Sequence, residues 1–393
     1  MKKILVLNHF PIVNPPISGG TLRYYHLYKE LSNYYDVTLL SQTSKNKSTT
    51  YRHSSNFTEY KVQKDSLYKK VNQKLKLSEA NYERELIINM KLTTHSTIYS
   101  KLYENLYKNC DIIIHESPYL LEYDRYIGLD NKHRIYNSHN HEYVLAKKIW
   151  KNKDARRYLP YIYNLEKKLV KHSDLIFVTS ENERLSIRNM YNKDPRKIKL
   201  APNGIIPSQW LPKKEEVYTE KTFALFIGSD YPPNINAVDF IIQNLADKCC
   251  NIEFLIAGRC CNPFFTVKKP NIKLLGHISH WQKLKLFAFA DIAINPIFTG
   301  AGINLKTLEF LSAGIPLFSS GFGVRGLNLI NKGHYIHAEQ EDFSEKINQF
   351  CSDKLFLSEM SSRAQKYINE KFTWCNIAKS IHRDIEEIVS KGM

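Results

Sequence analysis

The sequence predicts an α/β protein built from two Rossmann-like domains. Short apolar runs suited to buried strands alternate with helical periodicity along both halves of the chain. The 393 residues, 43% of them hydrophobic, suffice for two cores of ordinary domain size. Asn203-Gly204 then interrupts the alternation near the middle. Alternation of this kind argues for a mostly parallel sheet in each half, with ligands taken up at the carboxyl ends of the strands.

Residues 3–7, KILVL, read as the first buried parallel strand. Residues 21–31 show helical spacing through Leu22, Tyr25, Leu27, Tyr28 and Leu31, and residues 36–40 form a second strand. The glycines between them, Gly19 and Gly20, do not fit G-x-G-x-x-G, so no nicotinamide cofactor is expected. Residues 42–107 are polar, basic and tyrosine-rich, with helical stretches at 69–77 and 96–108 and few strand signals. Strands follow at 111–115 and 134–137, then a long helix at 154–172, a strand at 175–179 and a closing segment at 199–202. Residues 207–220 read as a linker. The second half has strands at 223–227, 252–257, 272–275 and 292–295, with helices at 236–245, 281–289 and 304–313. Residues 374–389 form an amphipathic helix through Ile377, Ile381, Ile385 and Ile388.

The formal charge of +17 is concentrated in residues 1–203, which hold 35 Lys and Arg against 20 Asp and Glu. A basic face suits an anionic membrane surface, each nearby Lys or Arg contributing roughly 1 kcal/mol. Tyr60, Lys61, Tyr68, Lys69, Lys70 and Lys74 interleave aromatic and basic character that lipid headgroups would meet, though the tyrosines equally suit packing. The basic residues are scattered rather than gathered on a recognition motif, so nucleic acid is not an expected partner. The apolar run at 4–7 breaks at Asn8 and no run approaches the about 20 residues of a membrane span, so a cytoplasmic or peripheral protein is expected. Seven cysteines, with adjacent pairs at 249–250 and 260–261, fit neither a disulfide framework nor a zinc spacing.

Residues 299–320, TGAGINLKTLEFLSAGIPLFSS, read as a glycine turn feeding a helix. Gly300 and Gly302 permit backbone angles that let successive N–H groups converge on an anion, and a helix N-terminus behind them adds about half a positive charge. Lys306 and Glu309 lie three apart on one helix face. That spacing suits a nucleotide-sugar, with Lys306 neutralising phosphate and Glu309 accepting hydrogen bonds from a ribose diol. The plainer alternative is a connecting turn with Lys306 and Glu309 as a surface pair.

The chain resembles the retaining GT-B glycosyltransferases of glycosyltransferase family 4. The resemblance is carried by residues 18–23 (SGGTLR), 136–142 (YNSHNHE), 173–180 (SDLIFVTS), 202–204 (PNG), 227–228 (IG), 256–259 (IAGR), 275–277 (LGH) and the segment containing Lys306, Glu309 and AGIP. It implies two Rossmann-like domains facing across a cleft: an acceptor-binding domain over 1–203, with 42–107 as its variable acceptor-facing part, a nucleotide-sugar domain over 204–372, and a helix over 373–393 that returns to the first domain. It implies catalytic roles for His139, beside the anomeric carbon, and Glu309. The donor diphosphate would meet Gly20, Arg259, Gly300, Ala301, Gly302 and Lys306, the ribose Glu309, and the base His277 and Ile278. Gly19 and His141 would lie on the acceptor side. The donor would be a UDP- or GDP-sugar and the acceptor a glycan or lipid-linked glycan. Many members carry two glutamates separated by seven residues, and the first falls here at Ala301, so sugar recognition is expected to use backbone groups of the turn. No D-x-D motif stands in a suitable loop, so no metal is expected. Retention would proceed by same-face attack, the leaving phosphate taking the acceptor proton. Rival readings are an epimerase or phosphorylase of the same architecture and a non-catalytic glycan or membrane adaptor.

Overall fold

The computed structural model describes residues 1–13, 19–75, 82–212, 221–300 and 303–391. These divide into two compact units, one of residues 1–202 with 377–393, the other of residues 203–376.

The first unit is an eight-stranded sheet. Its strands are β1 (Lys3–Leu7), β2 (Asp36–Thr43), β3 (Thr49–Ser54), β4 (Phe57–Gln63), β5 (Ile112–His115), β6 (His133–Asn137), β7 (Leu175–Val178) and β8 (Ile198–Leu200). They lie in the order β3-β4-β2-β1-β5-β6-β7-β8. All pairings are parallel except β3 with β4. β5 and β7 are buried along their whole length, which is why III and LIFV read as continuous apolar runs rather than alternating ones.

The hairpin of β3 and β4 falls where few strand signals were expected. Most of β3 is exposed and supplies no apolar pattern, and the inward position of β4 between Phe57 and Val62 is a glutamate, Glu59. That buried carboxylate is satisfied by the Ser41 hydroxyl at 2.7 Å, the Ile12 N–H at 2.9 Å and His53 Nε2 at 2.9 Å. The single long helix expected at 154–172 is two, Lys153–Arg156 and Leu159–His172. Pro160 explains the break, since proline is tolerated in a helix's first turn and not in its interior. Ile162, Leu165, Leu169 and Val170 then face the core.

The C-terminal helix, Trp374–Lys391, buries Ile377, Ile381, Ile385 and Val389. From Ile377 onward it belongs to the first unit, where Tyr35 donates to Glu386 at 2.9 Å, the Tyr34 ring stacks on His382 at 4.1 Å and Lys2 pairs with Glu386 at 3.2 Å.

The second unit is a six-stranded parallel sheet of β9 (Thr222–Ile227), β10 (Ile252–Ala257), β11 (Ile272–Gly276), β12 (Ile292–Asn295), β13 (Leu317–Ser319) and β14 (Ile336–His337). The order is β11-β10-β9-β12-β13-β14. The helix expected at 236–245 begins earlier, as Pro232–Phe240 with two prolines in its first turn, and runs into a π turn, Ile241–Leu245. Leu305–Ser312 is the short helix that follows the glycine turn. It is secured from behind by Lys354–Lys371, through Asn369 at 2.8 Å from the Ser312 hydroxyl and Gln365 Nε2 donating to the Ser312 carbonyl at 2.9 Å.

Candidate functional site

In the second unit the carboxyl ends of three neighbouring strands, β9, β10 and β11, carry Gly228, Gly258 and Gly276. Gly258 has φ +102°, and a Cβ there would stand 2.0 Å from the Gly228 carbonyl oxygen. Gly258 N–H donates to the Gly276 carbonyl at 2.6 Å and Gly228 N–H to the Ala257 carbonyl at 3.0 Å. Backbone therefore meets backbone, and only glycine fits. A Cβ on Gly228 would in turn strike the Asn234 side chain at 2.8 Å.

Lys306 lies beside this floor. Its Nζ donates to Asn234 Oδ1 at 2.7 Å and sits 4.1 Å from the Phe226 ring centre. Burial pulls the ammonium down to about 7, against a smaller opposing pull from Cys260 and Glu309. A cation whose hydrogen-bond partner is a neutral amide, in surroundings that resist its charge, gains most from an arriving anion. Asn234 is held in place by donating to the Ser229 carbonyl at 3.2 Å.

The start of Leu305–Ser312 is pinned by side chains that converge on the Gly323 carbonyl: Thr307 Oγ1 donates to it at 2.8 Å and Asn295 Nδ2 at 3.3 Å. Gly300 has φ +141°, a backbone region that L side chains rarely adopt. Ala301 and Gly302 lie outside the described residues, as does Ser18. Lys306 and Glu309 do not pair with each other. Glu309 instead takes Lys283 at 2.6 Å, from the helix His280–Phe289. Arg259 follows β10 and reaches Asp230 at 3.5 Å, both side chains well exposed. His277 and Ile278 follow β11 directly, His277 exposed.

In the first unit the carboxyl ends of β1, β5 and β6 hold a side-chain network. His139 Nε2 meets Glu116 Oε2 at 2.6 Å. Glu116 Oε1 takes Asn137 Nδ2 at 2.8 Å and the Tyr28 hydroxyl. Arg23 donates to Asn137 Oδ1 at 2.8 Å and to the Pro202 carbonyl at 3.0 Å. Burial holds the His139 imidazole below its ordinary value, with Glu116 pulling upward and Arg23 adding to the depression. Gly19 and Gly20 open the helix Gly19–Leu31. A Cβ on Gly20 would make only ordinary contact with Phe10 at 3.6 Å, so strain does not demand glycine there.

His141 was expected on the acceptor side. Its ring is buried, with Nδ1 on the Ser186 hydroxyl at 2.6 Å and Nε2 on the Tyr191 hydroxyl at 3.3 Å, and burial pulls it down to about 4. Next to it Glu142 accepts from Tyr119 at 2.9 Å, and burial, reinforced by Glu166, pushes its carboxyl up to about 8.

Glu116, Tyr28 and Asn234 were not expected at either site. The signal for Glu116 was an acid directly after the buried strand IIIH, and for Asn234 a polar residue just behind a Pro-Pro helix start. A cavity of about 680 Å³ in the second unit is lined by Phe223, Ile292 and Pro316, at the amino ends of β9, β12 and β13. Among the described residues no three His, Cys, Asp or Glu side chains gather as metal ligands, all seven cysteines are free thiols, and no helix is long and apolar enough to cross a membrane.

Comparison with known proteins converges on one family. Residues 17–209 match "Glycosyltransferase Family 4" and residues 221–353 match "Glycosyl transferases group 1". A glycogen synthase of Mycobacterium tuberculosis is 21% identical over 228 residues, covering 55% of each chain, so the match spans about half the length of that curated relative. An uncharacterized 44.6 kDa protein in the cps region of Klebsiella pneumoniae is 24% identical over 296 residues, 70% of this chain and 74% of that one. Sucrose-phosphate synthase from Thermosynechococcus elongatus superposes over 100% of both chains with a TM-score of 0.73 at 13% identity. A trehalose-6-phosphate structure from E. coli, bound with UDP-2-fluoro glucose, covers 98% of both chains with a TM-score of 0.69 at 12% identity. These likenesses establish the GT-B fold.

Proposed function

The chain belongs to the group 1 and family 4 glycosyltransferases of GT-B fold, and from that premise we propose a retaining, metal-independent transferase that moves a sugar from UDP or GDP to a glycan or lipid-linked glycan in cell-surface polysaccharide synthesis. The observation that carries this reading is the glycine floor of β9, β10 and β11 with half-buried Lys306 beside it, a site suited to two linked phosphates. Departing diphosphate needs positive charge, and Lys306, Arg259 and the N–H groups near Gly300 supply it without a metal. Glu309 takes the ribose, its carboxylate oriented by Lys283, and the backbone at His277 and Ile278 reads the base.

In the first unit His139 orients the transferred sugar. Gly19 offers a helix N-terminal N–H on the acceptor side, and Gly20 offers one to the donor diphosphate. Likeness to the Klebsiella protein of the cps region supports a capsule-type product, and the basic first half supports peripheral contact with the anionic inner face of the cell membrane.

Thermal shift with UDP, GDP and their sugar conjugates tests the reading, because a ligand raises Tm according to its affinity. One nucleoside diphosphate should stabilise the protein. Glu309→Ala should weaken its binding by about 1.5–3 kcal/mol through loss of charge-assisted hydrogen bonds. No shift with any nucleoside diphosphate would refute the donor assignment, and an isomerised nucleotide-sugar product would replace transferase with epimerase.

A further inference from the structure

The Glu116 carboxylate, directly after β5, is wholly buried. Three donors converge on it: the Tyr28 hydroxyl and Asn137 Nδ2 on Oε1, and His139 on Oε2. An ionised carboxylate only accepts, so the ring nitrogen that meets it must carry the proton. We infer that Glu116 is a positioning residue that fixes His139 as the Nε2–H tautomer, leaving Nδ1 as the acceptor turned to a hydroxyl of the transferred sugar. The inference rests on the transferase reading for that last step, and on hydrogen-bond geometry for the rest.

The surroundings agree. Asn137, which steadies the carboxylate, is itself held by Arg23, and Arg23 by the Pro202 carbonyl. The Tyr24 ring lies 4.7 Å from the imidazole and limits its rotation. His139 keeps 15% of its side chain exposed, whereas Glu116 has none, so one edge of the ring reaches solvent and the clamp does not. The charged groups bearing on the ring are Glu116 and Arg23, and with burial the balance keeps the imidazole neutral, as an acceptor nitrogen demands.

The variant Glu116→Gln separates positioning from packing. Its oxygen stays where Tyr28 and Asn137 donate, so its amide NH2 must face His139 Nε2, and a donor there drives the ring proton to Nδ1. The experiment is a long-range 1H–15N spectrum of the full chain with 15N-labelled histidine, His139 assigned by its loss in His139→Asn. The wild type should show Nε2 protonated and Nδ1 bare, and Glu116→Gln should reverse this. Release of UDP from UDP-glucose, or of GDP from GDP-mannose, should then fall at least tenfold in kcat, with Kd for the free nucleotide within twofold of wild type. Tyr28→Phe, which removes a different hydrogen bond to the same carboxylate, should lower Tm as Glu116→Gln does yet leave the tautomer alone. A wild-type ring protonated on Nδ1 or on both nitrogens overturns the inference, and so does a Glu116→Gln protein that loses turnover without changing tautomer. Full turnover in His139→Ala would instead remove the sugar-side role of His139, whatever the spectrum shows, so the two readings fail in different measurements.

Discussion

The two units present polar groups at the ends of their strands in opposite ways. At β1, β5 and β6 the groups are side chains that satisfy one another, with Glu116, Asn137, Arg23 and Tyr28 closing a buried network behind His139. At β9, β10 and β11 each strand ends in glycine: at Gly258 backbone approaches backbone until no Cβ would fit, and a Cβ on Gly228 would strike the Asn234 side chain. A network of side chains tolerates conservative exchange at its rim and fails by mispairing. Where backbone meets backbone, as at Gly258, an added Cβ displaces the chain itself. The first arrangement suits orienting a sugar of particular shape, the second suits gripping phosphates that every donor shares.

Three measurements probe that contrast. The largest effect should come from Gly258→Ala, which combines a left-handed φ with a Cβ placed 2.0 Å from a carbonyl oxygen. Strain and overpacking together should cost about 3 kcal/mol or more, read as a fall in Tm. If Tm is unchanged, the floor is not made by backbone contact.

Lys306→Met comes next. Loss of a charge-assisted contact should weaken nucleoside diphosphate binding by about 1.5–3 kcal/mol. The wild-type ammonium, pulled down to about 7, is mostly neutral at pH 8, and an arriving diphosphate favours its charged form. Wild-type binding at pH 8 should therefore take up a proton, and affinity should decline as pH rises above about 7. Calorimetry in two buffers of different ionisation heat would show this uptake, and Lys306→Met should abolish it.

Glu142→Gln is the gentlest. A carboxyl raised to about 8 in the folded protein contributes stability that is full below its unfolded value of about 4.5 and lost as pH climbs through 8. The variant, without that charge, should lose less Tm than wild type between pH 5 and pH 9. Equal slopes would show that Glu142 does not tax the first unit's packing.

Much of this architecture could be read from residue pattern. ILVL, III, LIFV and FLIA, the cores of β1, β5, β7 and β10, are apolar throughout because both faces of a parallel strand are covered. The β3–β4 hairpin escaped because one strand is largely exposed and the other hides a glutamate where alternation demands an apolar residue. At the sites, Lys306 and Glu309 were singled out by their spacing and His139 by family resemblance, but the partners the structure gives them come from distant segments. Asn234 is 72 residues from Lys306, and Glu116 is 23 from His139. No periodicity links such pairs, since only the sheet order brings them together. The burial of His141 was hidden for the same reason: its neighbours Ser186 and Tyr191 lie 45 and 50 residues on.

The C-terminal helix has a consequence for how the molecule is made. Residues from Ile377 onward complete the first unit, yet the ribosome delivers them only after all of the second. Until then Tyr34 and Tyr35 lack the partners they have in the finished structure, His382 and Glu386. The nascent protein must carry an unfinished first body through roughly half of its synthesis, a window in which a chaperone would find exposed apolar surface and in which a truncated message would yield a product that cannot close.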